Sequence, residues 1–243
     1  MNDNPLLQAW DSPYGLPPFE RLRPEHFEPA LREAMRRHRE ELAAIAGQAT
    51  PPGFDDTVAA FDRAGRLLAR VAAVFYNLTS SATSPELQAV QRTMAGPMAA
   101  HDSAVYMDAA LFARFDALHE RRAVLGLTPE QRRLLERIHL DFVRAGARLE
   151  PARQARYAQV MEELARLTTQ FAQNVLHDES SWQLVLQGEA DLAGLPGFVR
   201  AAARQAAADR GLDGHVITLS RSLVVPFLSF SERRDLRERA WRA

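Results

Sequence analysis

Seven histidines occur in a chain that contains no cysteine, so any metal chemistry here must rest on imidazole and carboxylate ligands. "LHERRA" (118–123) begins like the helical zinc motif H-E-x-x-H. Two histidines four apart share one helical face and one metal, and the Glu between them handles the attacking water. Ala123 stands where the second histidine is required, so His119 and Glu120 read as a helix-surface pair. "ERIH" places Glu136 and His139 at the spacing used by helical di-iron proteins. Such a site needs a second pair and two further carboxylates on facing helices. The nearest second pair is Asp116 with His119, which has Asp in place of Glu. The simpler reading puts His139 at the edge of a Leu135–Ile138–Phe142 face, held by a hydrogen bond.

The other candidates are weaker. His38 lies on an apolar stripe and reads as a satisfied boundary histidine. His177, Asp178 and Glu179 are consecutive, so they cannot converge; they read as a helix end. "GLPG" and "GLDG" lack the spacing of a phosphate-binding loop, and no G-x-S-x-G is present. The three tryptophans, Trp10, Trp182 and Trp241, are scattered and make no stacking platform. Residue chemistry alone therefore assigns no catalytic, cofactor-binding or metal residue in this chain.

Size and composition bound the class. With 243 residues, 47% hydrophobic and 25% charged, the chain can bury a substantial core. Its net charge of -1 argues against a nucleic-acid partner, which favours a basic excess. Every one of the 30 basic residues is Arg, which reads as compositional bias rather than a set of phosphate forks. The lack of Cys excludes disulfides, thiol catalysis and Cys-ligated zinc. "MNDNPLLQAWDSPYGLPPF" has no basic then apolar secretory pattern, and no apolar run is long enough for a bilayer. The expectation is a cytoplasmic protein without membrane contact.

The periodicity is mainly α. Residues 1–23 read as an extended, Pro-rich arm whose Leu6, Leu7, Trp10, Tyr14, Leu16 and Phe19 pack on the body. Residues 24–177 read as helices. The first puts Phe27, Leu31, Ala34, His38, Leu42 and Ile45 on one face. The second runs from about Asp55 to Leu78, with Val58, Phe61, Leu68, Val71, Phe75 and Leu78 as its stripe. "SATSPELQ" caps a third at Pro85. Asp108 starts a fourth with Leu111, Phe112, Phe115 and Leu118 inward. Thr128, Pro129 and Gln131 form a capping box for a fifth, stopped at Gly146. The longest helix, 151–177, turns Tyr157, Val160, Met161, Leu164, Leu167, Phe171 and Val175 to a buried side. Residues 178–230 read as a small antiparallel β element, about 181–187 with 214–220, around a short helix at 197–210. In 231–243, Ser231 N-caps a helix that shows no stop before Ala243. The fold class is mainly α with a small antiparallel β element, read as a single helical domain.

A resemblance covers the chain in order. "LPPFERLRPEHFEPALREAMRRHREELAAIA" resembles the opening of bacterial oligopeptidase A and of the dipeptidyl carboxypeptidases (peptidyl-dipeptidases), members of the thimet oligopeptidase and neurolysin family of zinc metallopeptidases. It continues through "FDDTVAAFDRAGRLLARVAAVFYNLTSSATSPELQ", "LTTQFAQNVL", "ADLAGLPG" and "LRERAWRA". "RRAVLGLTPEQRRLLERIHLDFVRAGARL" points to the dipeptidyl carboxypeptidase branch. The likeness lies in many distributed matches and in no single short motif.

The resemblance implies a largely helical protein whose two halves enclose a channel. A short peptide lies in that channel and is cut by zinc-activated water, with C-terminal dipeptides released in this branch. The family's H-E-x-x-H and its downstream Glu have no counterpart in these 243 residues, so no catalytic or zinc residue carries over. The chain is thus expected to be the N-terminal channel wall of a longer peptidase, with zinc in the parent and none in this part, and inactive alone. Its implied partners are the C-terminal catalytic half and short peptides. The uncapped last helix fits a polypeptide that continues. Apolar surface meant for the other half, at Leu236 and Trp241, is expected to drive self-association of the isolated chain. The alternative is a stand-alone helical module that binds peptides or a partner without catalysis.

Overall fold

The computed structural model describes residues 3–243. The chain divides into two compact units, Met1–Thr169 and Gln170–Ala243.

The first unit is built on α1 (Phe27–Ala46), entered through a short 3-10 turn at Pro24–His26. Its apolar residues recur at helical spacing, and Phe27, Leu31, Ala34, Leu42 and Ile45 are all buried. The two ends of this one face serve different clusters. Phe27, Leu31 and Ala34 pack with Leu68, Val71 and Phe75. Leu42 and Ile45 pack with Val58, Leu111, Phe115 and Phe142.

The expected helix from Asp55 to Leu78 is not continuous, and those two clusters explain why. A π-turn (Phe54–Val58) runs into α2 (Ala59–Arg63), the chain breaks at Gly65, and α3 (Arg66–Ser81) follows. Gly65 adopts φ +72, a left-handed conformation that other residues enter only at a cost. The break delivers Val58 to one cluster and Leu68, Val71 and Phe75 to the other. Glu41 Oε2 accepts the freed Gly65 N–H at 2.7 Å.

The remaining starts follow the capping residues. Ser84 accepts from Leu87 N–H and opens α4 (Pro85–Tyr106). Asp108 accepts from Leu111 N–H at 2.8 Å and opens α5 (Ala109–Arg121). Thr128 and Gln131 exchange bonds of 3.2 and 3.0 Å at the start of α6 (Pro129–Arg144). Gly146 follows its end at φ +99. The N-terminal arm packs in part: Leu6 is fully buried and Arg70 lies over the Trp10 ring at 4.4 Å. Tyr14, Leu16 and Phe19 are exposed, which corrects the expectation that they pack.

The long helix α7 (Pro151–Ser181) corrects another expectation. It runs four residues past 177, through the expected stop at His177–Glu179, and none of its residues is buried. Val160, Leu164, Leu167, Phe171 and Val175 face solvent, Phe171 at 70% exposure.

The second unit holds β1 (Gln183–Leu186) and β2 (His215–Thr218), paired antiparallel with Leu184 opposite Ile217. These strands lie within the expected ranges. Leu184, Leu186 and Ile217 join α8 (Gly197–Ala208) in one core. "RSLVVPFLSF" forms a second helix, α9 (Arg221–Phe230), in the 178–230 span where only the helix at 197–210 was expected. Its Leu223 and Phe227 are buried in spite of Pro226 within the helix. Ser231 ends α9 and its hydroxyl accepts from Arg233 N–H; α10 (Arg234–Arg242), with Arg233 in place of Ser231 at its N-cap, starts two residues later than expected. Leu236 is 5% exposed, because α10 packs it into this core, whereas Trp241 is 78% exposed.

Candidate functional site

The histidine pairs singled out in the sequence do come together. α5 brings Asp116 and His119 to one side, and α6 brings His139 against them. His139 is buried and its Nε2 hydrogen-bonds Asp116 Oδ1 at 2.8 Å. The His119 and His139 rings stack in parallel with centroids 3.9 Å apart, and Phe112 stacks on His139 at 5.6 Å. Arg148 donates to the same Asp116 oxygen at 2.9 Å. The His139 hydrogen bond, with help from Arg148, holds the Asp116 carboxyl below its usual range. Burial lowers the His119 ring, and the charges of His139 and Arg122 add to this.

This arrangement does not fit a metal. Asp116 is already shared between an imidazole and a guanidinium, and Glu136 is paired with Arg122 at 3.4 Å. A cation would have to displace both arginines. Among the described residues no group of three His, Asp or Glu side chains could hold a metal ion. The di-iron reading therefore fails on charge as well as on ligand identity. His139 takes the role of a hydrogen-bonded histidine at the edge of the Leu135–Ile138–Phe142 face.

His38 meets a partner that sequence reasoning missed. Its Nδ1 lies 3.0 Å from His101 Nε2 across α1 and α4. Arg39 Nη1 approaches the far nitrogen of His101 at 3.4 Å. Burial, the neighbouring His38 and Arg39 push His101 down to about 4, and burial lowers His38 as well. The two ring nitrogens are within hydrogen-bond distance, the donor being set by the tautomers, and burial disfavours the charged form of both rings. A cation beside His101 opposes metal binding here too.

One feature with room for a ligand and mostly apolar walls is a groove between α4, the C-terminal end of α6 and α7. It encloses about 410 Å³, within the roughly 300–1,000 Å³ of small-molecule sites. Tyr106, Tyr157, Met161, Leu164, Ala99 and Ala165 supply mostly apolar walls, and Asp102 is the carboxylate that lines it. Tyr157, Met161 and Leu164 come from the helix face expected to be buried. That face instead lines an open groove.

Comparison with known proteins bears on what such a face is for. Over 97% of its length the chain is 38% identical to dipeptidyl carboxypeptidase of Escherichia coli (strain K12). It is 36% identical over its full length to dipeptidyl carboxypeptidase of Salmonella typhimurium. It is 28% identical over 99% of its length to oligopeptidase A of Escherichia coli. The chain is a homologue of these peptidases. The resemblance read from the distributed sequence matches therefore holds along the whole chain. No protein-family model matches it. The chain spans about a third of the length of these curated relatives, 35% of the first and third and 36% of the second. No helix among the described residues is long and apolar enough to cross a membrane.

Proposed function

We propose that this chain is the N-terminal helical domain of a zinc-dependent oligopeptidase that releases C-terminal dipeptides from short peptides. The observation that carries the reading is homology along the whole chain to peptidases about three times its length. The identities, 36–38% to dipeptidyl carboxypeptidases against 26–29% to bacterial oligopeptidases A, favour the first branch. In this reading the domain forms one wall of a peptide channel, and the apolar stripe on α7 faces that channel or the catalytic half. Zinc and the catalytic groups belong to the rest of the polypeptide, because the donor sets present here do not fit a metal. The protein works in the cytoplasm on short peptides.

The coding sequence after codon 243 tests this directly. An in-frame continuation with H-E-x-x-H supports it, whereas a native stop codon favours a stand-alone binding module. The 243-residue chain is expected to leave peptides uncut with or without added zinc. Chelator-sensitive cleavage by this chain alone would overturn the assignment of catalysis to the missing part.

A further inference from the structure

The groove on α4 and α7 carries one feature that an apolar channel wall does not require. Asp102, an exposed residue, lines it, and among the described residues it has no hydrogen-bond or ion-pair partner. Desolvation raises its carboxyl above the usual range. Its charge also helps to raise the Tyr76 and Tyr106 phenols, although burial is the larger cause at each. The charges nearest on the Tyr106 side are already matched, since Arg137 holds Asp141 at 3.0 Å. An apolar seat thus ends in an anion that no side chain neutralises. An acidic ligand would be repelled by that anion, and a purely hydrated cation would leave the apolar walls unused.

We infer that this groove binds the N-terminal end of a short peptide, with the first side chain, a hydrophobic one, on the Met161–Leu164–Tyr157 wall and the free α-ammonium paired with Asp102. The volume of about 410 Å³ suits one large side chain with its backbone. Peptide as the source rests on the peptidase reading above. The chemistry, an apolar body carrying a primary ammonium, rests on the groove itself.

The test uses the 243-residue chain and isothermal titration at pH 7 with four probes: Phe-Ala-Ala-Ala amide, its N-acetylated form, Gly-Ala-Ala-Ala amide, and phenethylamine. The free Phe peptide is expected to bind most tightly. Acetylation should weaken it about tenfold or more, which corresponds to about 1.4 kcal/mol for one charged hydrogen bond. Asp102→Asn is conservative and lies at an exposed position, so it should fold normally and abolish the preference for the free over the acetylated peptide. Ala165→Met should fill the seat and weaken the Phe peptide alone, with an unchanged circular dichroism spectrum as the check on folding. Equal binding of free and acetylated peptides, no binding of the free peptide, or an unchanged preference in Asp102→Asn overturns the inference. Equal affinity for the Gly peptide overturns the apolar seat. Phenethylamine binding as tightly as the Phe peptide overturns the peptide as occupant. These results are separate from the coding-sequence test: an Asp102-dependent preference can stand beside a native stop codon, and its absence can stand beside an in-frame H-E-x-x-H.

Discussion

Arg114 provides the sharpest test of how the first unit is held together. It sits in α5 with its side chain only 7% exposed, and it reaches the loop that joins α1 to the π-turn. Its Nε donates to Thr57 Oγ1 at 3.2 Å and its Nη1 donates to the Gln48 and Thr50 carbonyls at 3.1 Å each. Its Nη2 donates to Gln48 Oε1 at 2.8 Å and Asp56 Oδ1 at 3.0 Å. At roughly 0.5–1.5 kcal/mol net apiece, five such bonds give an upper range that rehydration of the exposed partners reduces. Asp56 keeps its bonds from Gly53 N–H and Thr57 Oγ1, and its side chain is partly exposed, so water can replace the guanidinium there. Buried Thr57 loses an incoming bond but still donates its own. Arg114→Ala is therefore expected to destabilise the unit by about 3 kcal/mol, in the range for breaking a buried charged network. Arg114→Lys keeps the charge but not the fork and should cost about 2 kcal/mol. Urea unfolding followed by circular dichroism measures both, and proteolysis should move to the 47–57 loop. A loss below about 1 kcal/mol in Arg114→Ala would refute the view that this guanidinium fastens the loop.

The His38–His101 pair makes stability depend on pH. Both folded-state rings titrate below their unfolded value of about 6.5. The unfolded chain thus binds protons first, and stability falls as pH drops from about 6.5 towards about 4. For His101 this amounts to about 2 kcal/mol after allowance for solvent screening, and His101→Gln should flatten the wild-type slope over that window. A slope unchanged in the variant would place the proton uptake elsewhere. Gly194, at φ +78, lies where a Cβ would collide with the Phe230 carbonyl oxygen. Gly194→Ala should cost the second unit about 3 kcal/mol in thermal unfolding, and a neutral result would show that the turn relaxes freely. Phe171→Glu on the open face of α7 should change stability by less than about 0.5 kcal/mol. It should also lower the concentration-dependent self-association expected of the isolated chain in sedimentation; identical association in both forms would remove α7 from the contact.

What the sequence discloses and conceals follows from how locally each feature is determined. The starts at Ser84, Asp108 and Thr128 are legible because a cap is a contact within three residues. β1 is legible because alternation extends over its four positions, whereas β2 is buried at Val216, Ile217 and Thr218 alike. The Gly65 break is concealed because the stripe from Val58 to Leu78 keeps helical spacing through it; only the packing of α1 against two clusters requires the turn. Ser231 is misread because the same hydroxyl can serve a helix start or the turn before one, and here it accepts from Arg233 N–H. His38 is recognised as satisfied, but its partner lies 63 residues away, beyond any spacing rule.

The stripe on α7 is the most instructive case. Its period correctly identifies an amphipathic face, and periodicity normally implies burial. Yet Val160, Leu164, Leu167 and Phe171 are all exposed. Exposing a large apolar side chain forgoes roughly 1.5–3 kcal/mol, so several aligned on one helix are costly unless something else covers them. The relatives are about three times longer than this chain, and in the function proposed above the rest of such a polypeptide covers this face. Met161 and Leu164 already shape a groove at this face with Asp102 among its lining residues. In the inference above, the apolar residues of this face take the first side chain of a peptide and Asp102 takes its terminus. The same residues that make the helix look misfitted alone thus become the ones expected to distinguish a free from an acetylated N-terminus.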